Sequence, residues 1–152
     1  MKGVRNEGML QVAVPYAGDS SVAWVTPDSF VAALGDDTSL ASLYLVNLTR
    51  HSQTLITGGW SVQPAVDPSG KRLAYLHKES NPQRETLIIS NLDGSSQMPI
   101  ARNQQAYVPA WSTDGSSVLF IRSGLGLFVY DLATGSTVQV SRRPMDSMAW
   151  AP

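Results

Sequence analysis

The chain repeats itself at intervals of about 40 residues, and this period constrains its fold more than any other feature. Ala23, Ala65 and Ala110 each lie in a run of β-forming residues, and Ala149 begins a further copy. A second segment repeats in the same register, with a leucine, three β-formers and then Asn or Asp, at residues 42–48, 86–92 and 126–132. A single unit of this size cannot bury its own apolar face, so consecutive copies have to stack.

Each copy is predicted to be a meander of four short strands. Turn dipeptides such as Asp114-Gly115 separate the runs, because glycine accepts the positive φ that a tight turn needs. Residues 73–76 and 118–121 are apolar on both faces, which a sheet needs only when other layers cover both sides. A helix over residues 30–46 is the competing interpretation, but Gly35-Asp36-Asp37 interrupts it.

Repeated four-stranded sheets of this kind predict an all-β fold, a partial β-propeller formed by one domain over residues 1–152. We expect three complete blades and one that is split or incomplete. The complete blades are predicted at residues 21–57, 61–102 and 107–141, and residues 9–14 and 148–152 are predicted to be strands of the incomplete blade.

The run Pro-Ala-Trp-Ser-Thr-Asp-Gly at residues 109–115 resembles the WD40-like propeller repeat typified by TolB, and also the blades of prolyl-oligopeptidase propellers. Thr113 stands where that repeat usually has proline, and the preceding copy keeps only Pro64, Pro68 and Gly70. The resemblance implies a fold shared by binding platforms, peptidase gates and assembly subunits. It also implies a bacterial periplasmic or extracytoplasmic location, although residues 1–7 lack the apolar segment of a secretory signal.

Composition argues against several classes of function. A net charge of −1, with 15% charged residues and no basic stripe, predicts no nucleic-acid binding. The apolar runs are too short for membrane insertion. The two histidines have no ligands at metal spacing, and no dinucleotide or phosphate-binding glycine pattern occurs, so neither metal nor cofactor is expected. No nucleophile elbow or catalytic triad is evident, so we expect no enzymatic activity.

Partner binding is expected on the loops that join second to third strands and on the connections between blades. The longest such loop, residues 78–85, is the first choice for a protein partner. Ordinary polar loop tips remain the alternative, as does a simple strand-end role for the histidine. The candidate binding residues are Trp60, His77, Lys78, Arg84, Glu85, Tyr107, Arg122 and Arg142.

Three and a half blades would leave two apolar sheet faces open. If each exposes roughly 500 Å², about 12 kcal/mol of hydrophobic stabilisation per face is missing. We therefore expect a homo-oligomer that completes the propeller or missing blades from a longer chain, with closure as a four-bladed ring the third option. The leading functional hypothesis is a non-catalytic protein-interaction or ligand-binding module. The alternatives are an accessory propeller of a prolyl-oligopeptidase-like peptidase and a structural subunit that assembles through its open faces.

Overall fold

The computed structural model describes residues 22–35, 41–78, 85–102 and 106–143, apart from the side chains of residues 106 and 107. These residues form twelve β-strands and no helix, so none of the described segments is a helix that could cross a membrane. The predicted strands at residues 9–14 and 148–152 lie outside the described residues. The strands are β1 (Val22–Thr26), β2 (Ser29–Leu34), β3 (Ser42–Asn47), β4 (Ser52–Thr57), β5 (Trp60–Val66), β6 (Arg72–Lys78), β7 (Glu85–Asn91), β8 (Met98–Ala101), β9 (Ala106–Trp111), β10 (Ser117–Arg122), β11 (Gly126–Asp131) and β12 (Ser136–Ser141).

The strands form three four-stranded antiparallel sheets, each in sequence order, so the all-β partial propeller is confirmed. We call the sheets blade 1 (β1–β4), blade 2 (β5–β8) and blade 3 (β9–β12). Their strands span residues 22–57, 60–101 and 106–141. The helical interpretation of residues 30–46 is wrong, since β2 pairs with β3 from Ser29–Asn47 to Leu34–Ser42.

The blades stack through their inner strands. Strand β5 contacts β1, β2 and β3 of blade 1, and β9 contacts β5, β6 and β7 of blade 2. Blade 2 therefore has a neighbour on each side, and both faces of β6 are buried: Leu73, Ala74, Tyr75 and Leu76 all belong to the main core. This burial explains why the segment is apolar without alternation.

Both later inner strands carry a bulge at the same position of the repeat. Gln63 and Val108 have φ of 53° and 52°, in the left-handed region that few non-glycine residues occupy, and the ladder shifts register at each. The Gln63 side-chain oxygen accepts a 2.7 Å hydrogen bond from the Val108 backbone N–H. The bulge of one blade thus binds the bulge of the next.

Aspartate carboxylates accept hydrogen bonds within the turns that connect the strands. Asp131 accepts from the Thr134 backbone N–H at 2.7 Å, whereas in blade 2 the acceptor for Ser95 is Asp93 and not the strand-end Asn91. Asp114 accepts from the hydroxyl of Ser112 and from the N–H and hydroxyl of Ser116, and these bonds lower its pKa to about 2. The turns therefore carry negative charge, and their carboxylates accept hydrogen bonds from residues of the same turn.

A polar network joins blades 2 and 3 at one end of the sheets. This end is opposite the loops that join the second strand of each blade to the third. The Trp111 indole N–H donates to the Ala65 carbonyl at 2.9 Å, and the Arg72 guanidinium lies 4.7 Å from the centre of the Trp111 ring. Arg72 also donates to the Gly115 carbonyl at 2.8 Å and forms a 3.0 Å ion pair with Asp67. These bonds fix blade 3 to blade 2 in one register.

Asp67 anchors that network from a buried position. Burial by itself raises the pKa of its carboxyl, but donation from the Arg72 N–H, the Ser69 hydroxyl, the Lys71 N–H and the Arg72 guanidinium lowers the pKa below its ordinary value. The carboxylate therefore stays ionised because its neighbours replace the water it has lost.

Candidate functional site

The site lies at the end of blades 2 and 3 where the second strand ends and the third begins, which we call the upper end. One contact between the blades identifies the face of blade 2 that is turned toward blade 3: the Tyr130 hydroxyl donates to Met98 Sδ at 3.8 Å. Met98 is in register with Ile89, and Ile89 with Ala74, so this side of the sheet faces blade 3. Alternation along β6 then places Lys78 on the same side.

Three of the predicted residues stand side by side at this end. Trp60 is opposite Lys78 in β5–β6, and Lys78 is opposite Glu85 in β6–β7. The Lys78 ammonium lies 3.4 Å from Glu85 Oε1 and 4.7 Å from the centre of the Trp60 ring. Cross-strand neighbours on one face of a sheet are close enough to interact in this way, so the register itself builds the cluster.

Glu85 is the least exposed charged side chain of the cluster, at 9%. Lys78 compensates its charge through Oε1, but the other carboxylate oxygen, Oε2, is buried and has no hydrogen-bond partner in the part of the chain that the structure describes. Leaving a buried acceptor unpaired costs about 1–3 kcal/mol. This oxygen is therefore a candidate acceptor for an incoming donor.

Arg122 lies at the upper end of blade 3, on the face that Tyr130 turns toward blade 2. We call the region between Arg122 and the side chains of Trp60, Lys78 and Glu85 the groove. The Arg122 guanidinium lies 4.3 Å from the centre of the Phe128 ring and 5.5 Å from that of Phe120, both of which belong to the core shared with blade 2. Burial lowers the pKa of Arg122, and its Nε is buried without a hydrogen-bond partner among the residues that the structure describes. The groove thus has an unused donor on one side and an unused acceptor on the other.

His77 lies on the opposite face of blade 2 from Lys78. Its Nδ1 is 3.1 Å from the hydroxyl of Ser61, which is 0% exposed, and across the next strand pair it is opposite Thr86. Gly59 packs against the His77 ring. The histidine is therefore a strand-end residue held between blade 2 and blade 1, separate from the cluster.

The remaining predicted residues are not brought into the cluster. Arg142 follows β12 on the exposed outer rim of blade 3. Tyr107 pairs with Ile121 through its backbone, and its side chain lies outside the described part of the structure. Arg84 is also outside it. The described ranges contain no group of three or more His, Cys, Asp or Glu side chains that could hold a metal ion.

Sequence reasoning found the charged members of the site but missed how they pair. The register that pairs Trp60 with Lys78 depends on the bulge at Gln63, and no turn residue or motif in the sequence indicates that bulge. It also missed Ser61, because a serine at the start of a strand is common and its burial depends on blade 1.

Solved β-propellers share this fold. A putative TolB from Agrobacterium tumefaciens is 18% identical, with a TM-score of 0.69 over 85% of this chain and 50% of its own. The β-propeller domain of the Trilobed protease from Pyrococcus furiosus is 14% identical, with a TM-score of 0.61 over 80% of this chain and 42% of its own. An acylaminoacyl peptidase from Pyrococcus horikoshii is 13% identical, with a TM-score of 0.64 over 83% of this chain and 25% of its own.

These similarities confirm a TolB-like β-propeller at the level of fold. The chain spans between a quarter and a half of the length of the three structures. No protein-family model matches the sequence, and no curated protein matches it either.

Proposed function

We propose that the chain is a non-catalytic protein-interaction module that receives a partner at the upper end of the groove between blades 2 and 3. The observation that carries this proposal is the buried Glu85 carboxylate, whose Oε2 has no partner among the described residues although Lys78 occupies Oε1. The oxygen is buried, so a partner reaches it by displacing the side chains around it, and its donor would then recover the cost of leaving the oxygen unpaired.

The chemistry of the groove suits a polypeptide partner. Glu85 offers an acceptor and Arg122 a donor, and a peptide backbone supplies both a donor and an acceptor at each residue. Trp60 adds a flat aromatic surface, and tryptophan and arginine carry much of the energy of protein interfaces. Among the described residues, the Lys78–Glu85 pair is internally neutral, so Arg122 gives the groove a modest positive charge.

The surroundings of the histidine favour binding over turnover. The hydroxyl that bonds His77, that of Ser61, is 0% exposed, and no described carboxylate bonds the histidine, so the group that orients the base of a hydrolytic triad is missing among the described residues. We expect the purified chain to release no product from chromogenic peptide substrates. Hydrolysis above the buffer rate that disappears in Ser61→Ala would show that the chain is an enzyme.

The binding proposal is tested by selecting ligands from a random peptide library on the purified chain and measuring their dissociation constants by calorimetry. Glu85→Gln and Arg122→Leu should each weaken the selected peptides at least about tenfold. In Glu85→Gln the remaining oxygen stays with Lys78 and an NH2 donor replaces the free acceptor, and Arg122→Leu removes the free donor. Arg142→Ala is the matched control and should bind as the native chain does.

Melting temperatures of the three variants separate loss of binding from loss of folding. The proposal fails if no peptide is selected, or if Arg142→Ala weakens binding as much as Glu85→Gln does.

The accessory propeller of a peptidase is the second candidate, and the fold similarity to the propeller domain of the Trilobed protease favours it. In that case the partner at the groove would be a hydrolase domain. In the presence of the chain, a candidate hydrolase should then cleave a narrower range of peptide lengths than it does alone. The Glu85→Gln variant of the chain should fail to narrow that range.

A further inference from the structure

A small cavity lies between blades 1 and 2, at the end of blade 2 opposite the groove. Strands β3 and β4 of blade 1 form one wall, and the turn between β7 and β8 of blade 2 forms the other. The cavity has a volume of about 270 Å³ and is lined by Leu45, Thr54, Leu55, Ile56, Leu92 and Asp93.

Most of the lining of this cavity is apolar. Four of the six lining residues are leucine or isoleucine, and three of these, Leu45, Ile56 and Leu92, pack against the main core. Thr54 and Asp93 complete the lining with a hydroxyl and a carboxylate. A concave, mostly apolar surface with a few placed polar groups is the usual form of a small-molecule site.

Close packing fixes the turn that carries Asp93. The Gly94 N–H donates to the Asn91 carbonyl at 3.0 Å and closes the turn. Gly94 also lies so near β4 that an added Cβ would collide with the backbone carbonyl of Ile56. The position of the carboxylate relative to blade 1 is therefore set before any ligand arrives, which lowers the cost of binding.

One oxygen of the Asp93 carboxylate is available to a ligand. Oδ1 accepts from the Ser95 backbone N–H at 2.9 Å and from the Ser95 hydroxyl at 2.6 Å, whereas Oδ2 accepts no hydrogen bond from the described residues. The bonds from Ser95 lower the pKa of Asp93, so the carboxylate is charged at neutral pH. The cavity thus combines an apolar wall with a fixed negative charge.

This combination favours a cation with an apolar body. A protonated amine donates to a carboxylate through a charge-assisted hydrogen bond, which is stronger than one between neutral groups, whereas an anion would be repelled. The volume is below the roughly 300–1,000 Å³ of sites for drug-sized ligands, so the ligand is smaller. The exposed side chains beside the cavity on β4 are polar (Ser52, Gln53 and Thr54), unlike the apolar centre of a protein interface.

We propose that this cavity binds a small amine, whose protonated nitrogen donates to Asp93 and whose apolar body packs against Leu45, Ile56 and Leu92. The ligand would contact both walls, so it would also stabilise the packing of blade 1 on blade 2. This site is separate from the groove that contains Glu85, and the proposal does not depend on peptide binding there.

The proposal is tested with three probes that share one apolar body and differ in charge: phenethylamine, phenethyl alcohol and phenylacetate. Each is titrated into the full chain while the methyl signals of Leu45, Ile56 and Leu92 are followed by NMR. Phenethylamine should shift these signals with a dissociation constant of about 0.1–1 mM, as expected for so small a ligand. The alcohol should bind about three- to fivefold more weakly, since solvent reaches the ion pair, and phenylacetate should not bind.

Two matched variants examine the carboxylate. Asp93→Asn keeps an oxygen that can accept from Ser95 but removes the charge, so the amine and the alcohol should bind it equally. Asp131→Asn makes the same change in the corresponding turn of blade 3, where Asp131 accepts from Thr134, and should keep the preference for the amine. Glu85→Gln, in the groove, should leave the affinity for the amine unchanged.

A further variant examines the cavity itself. Thr54→Phe adds a ring at an exposed lining residue and should weaken the amine and the alcohol alike, while the spectrum shows whether the chain is folded. The proposal is overturned if phenethylamine causes no saturable shift of these methyl signals up to about 10 mM. It is also overturned if the alcohol or phenylacetate binds the native chain as tightly as the amine, or if Asp131→Asn abolishes the preference as fully as Asp93→Asn.

Discussion

Trp24 and Trp111 hold the same place in two copies of the repeat, yet the first is 61% exposed and the second 7%. Trp111 donates to Ala65 and lies beneath the guanidinium of Arg72, both from blade 2. Among the described residues, Trp24 has only Phe30 of its own blade as an aromatic neighbour. The difference shows that this tryptophan is an inter-blade contact residue, and that its local strand does not determine whether it is buried.

The blade 2 copy supports the same conclusion from the other direction. Val66 takes the tryptophan position, and it packs against the main core without a polar anchor. Blade 2 is attached to blade 1 by other bonds, among them the Ser61 N–H to the Ala41 carbonyl at 2.8 Å. Both pairs of neighbouring blades are therefore packed through apolar residues, but the polar bonds that fix their register differ from one interface to the other.

The largest expected effect is the contrast between the two tryptophans. Trp111→Ala should lower the free energy of unfolding by about 3–5 kcal/mol, since it leaves a cavity and removes the bond to Ala65. Trp24→Ala should cost less than about 1 kcal/mol, because little surface is buried there. Urea denaturation measures both, and equal losses would contradict an inter-blade origin of the difference.

An intermediate effect is expected at Gly94, where blade 2 meets blade 1. Gly94 has a φ of 83°, and a Cβ added there would collide with the backbone carbonyl of Ile56 in β4. Gly94→Ala should cost about 3 kcal/mol, from backbone strain plus displacement of the neighbouring blade.

Gly124 provides the matched control, with a φ of 71° and open space around the position of a Cβ. Gly124→Ala should cost only about 1 kcal/mol, from strain alone. Thermal or urea unfolding compares the two, and similar losses would mean that the approach of Gly94 to Ile56 does not hold the blades together.

The smallest effect should be seen in the pH dependence of the blade 2–blade 3 interface. The folded pKa of Asp67 lies below its ordinary value of 3.8, because donors surround the buried carboxylate more strongly than burial disfavours its charge. Its contribution to stability is therefore complete above the ordinary pKa and is lost as the pH falls through the folded one.

Asp67→Asn should flatten this acid limb of the stability curve, because the amide has no carboxyl to titrate. Urea midpoints measured between neutral and acidic pH give the comparison. If native protein and variant lose stability in parallel as the pH falls, the acid sensitivity arises from the exposed turn carboxylates such as Asp114 and Asp131 instead, whose pKa values are also lowered.

Much of the fold could be predicted from the sequence, because strands, turns and the repeat period are written in local residue patterns. Even the approximate end of the molecule that contains Trp60, Lys78 and Glu85 followed from their places next to the predicted loops. The partner of each side chain did not follow. Asp67 looked like a departure from the repeat motif, but the structure makes it the carboxylate that orients Arg72 toward Trp111.

The sequence by itself determined that the chain forms consecutive four-stranded blades, since a run of about forty residues contains all the information for one meander. Only the tertiary structure decided which tryptophan is buried, which carboxylate oxygen lacks a partner and which face of each blade is covered. The physical reason is that these properties depend on atoms of the neighbouring blade, such as the Ala65 carbonyl, which lies 46 residues from the indole that it accepts from.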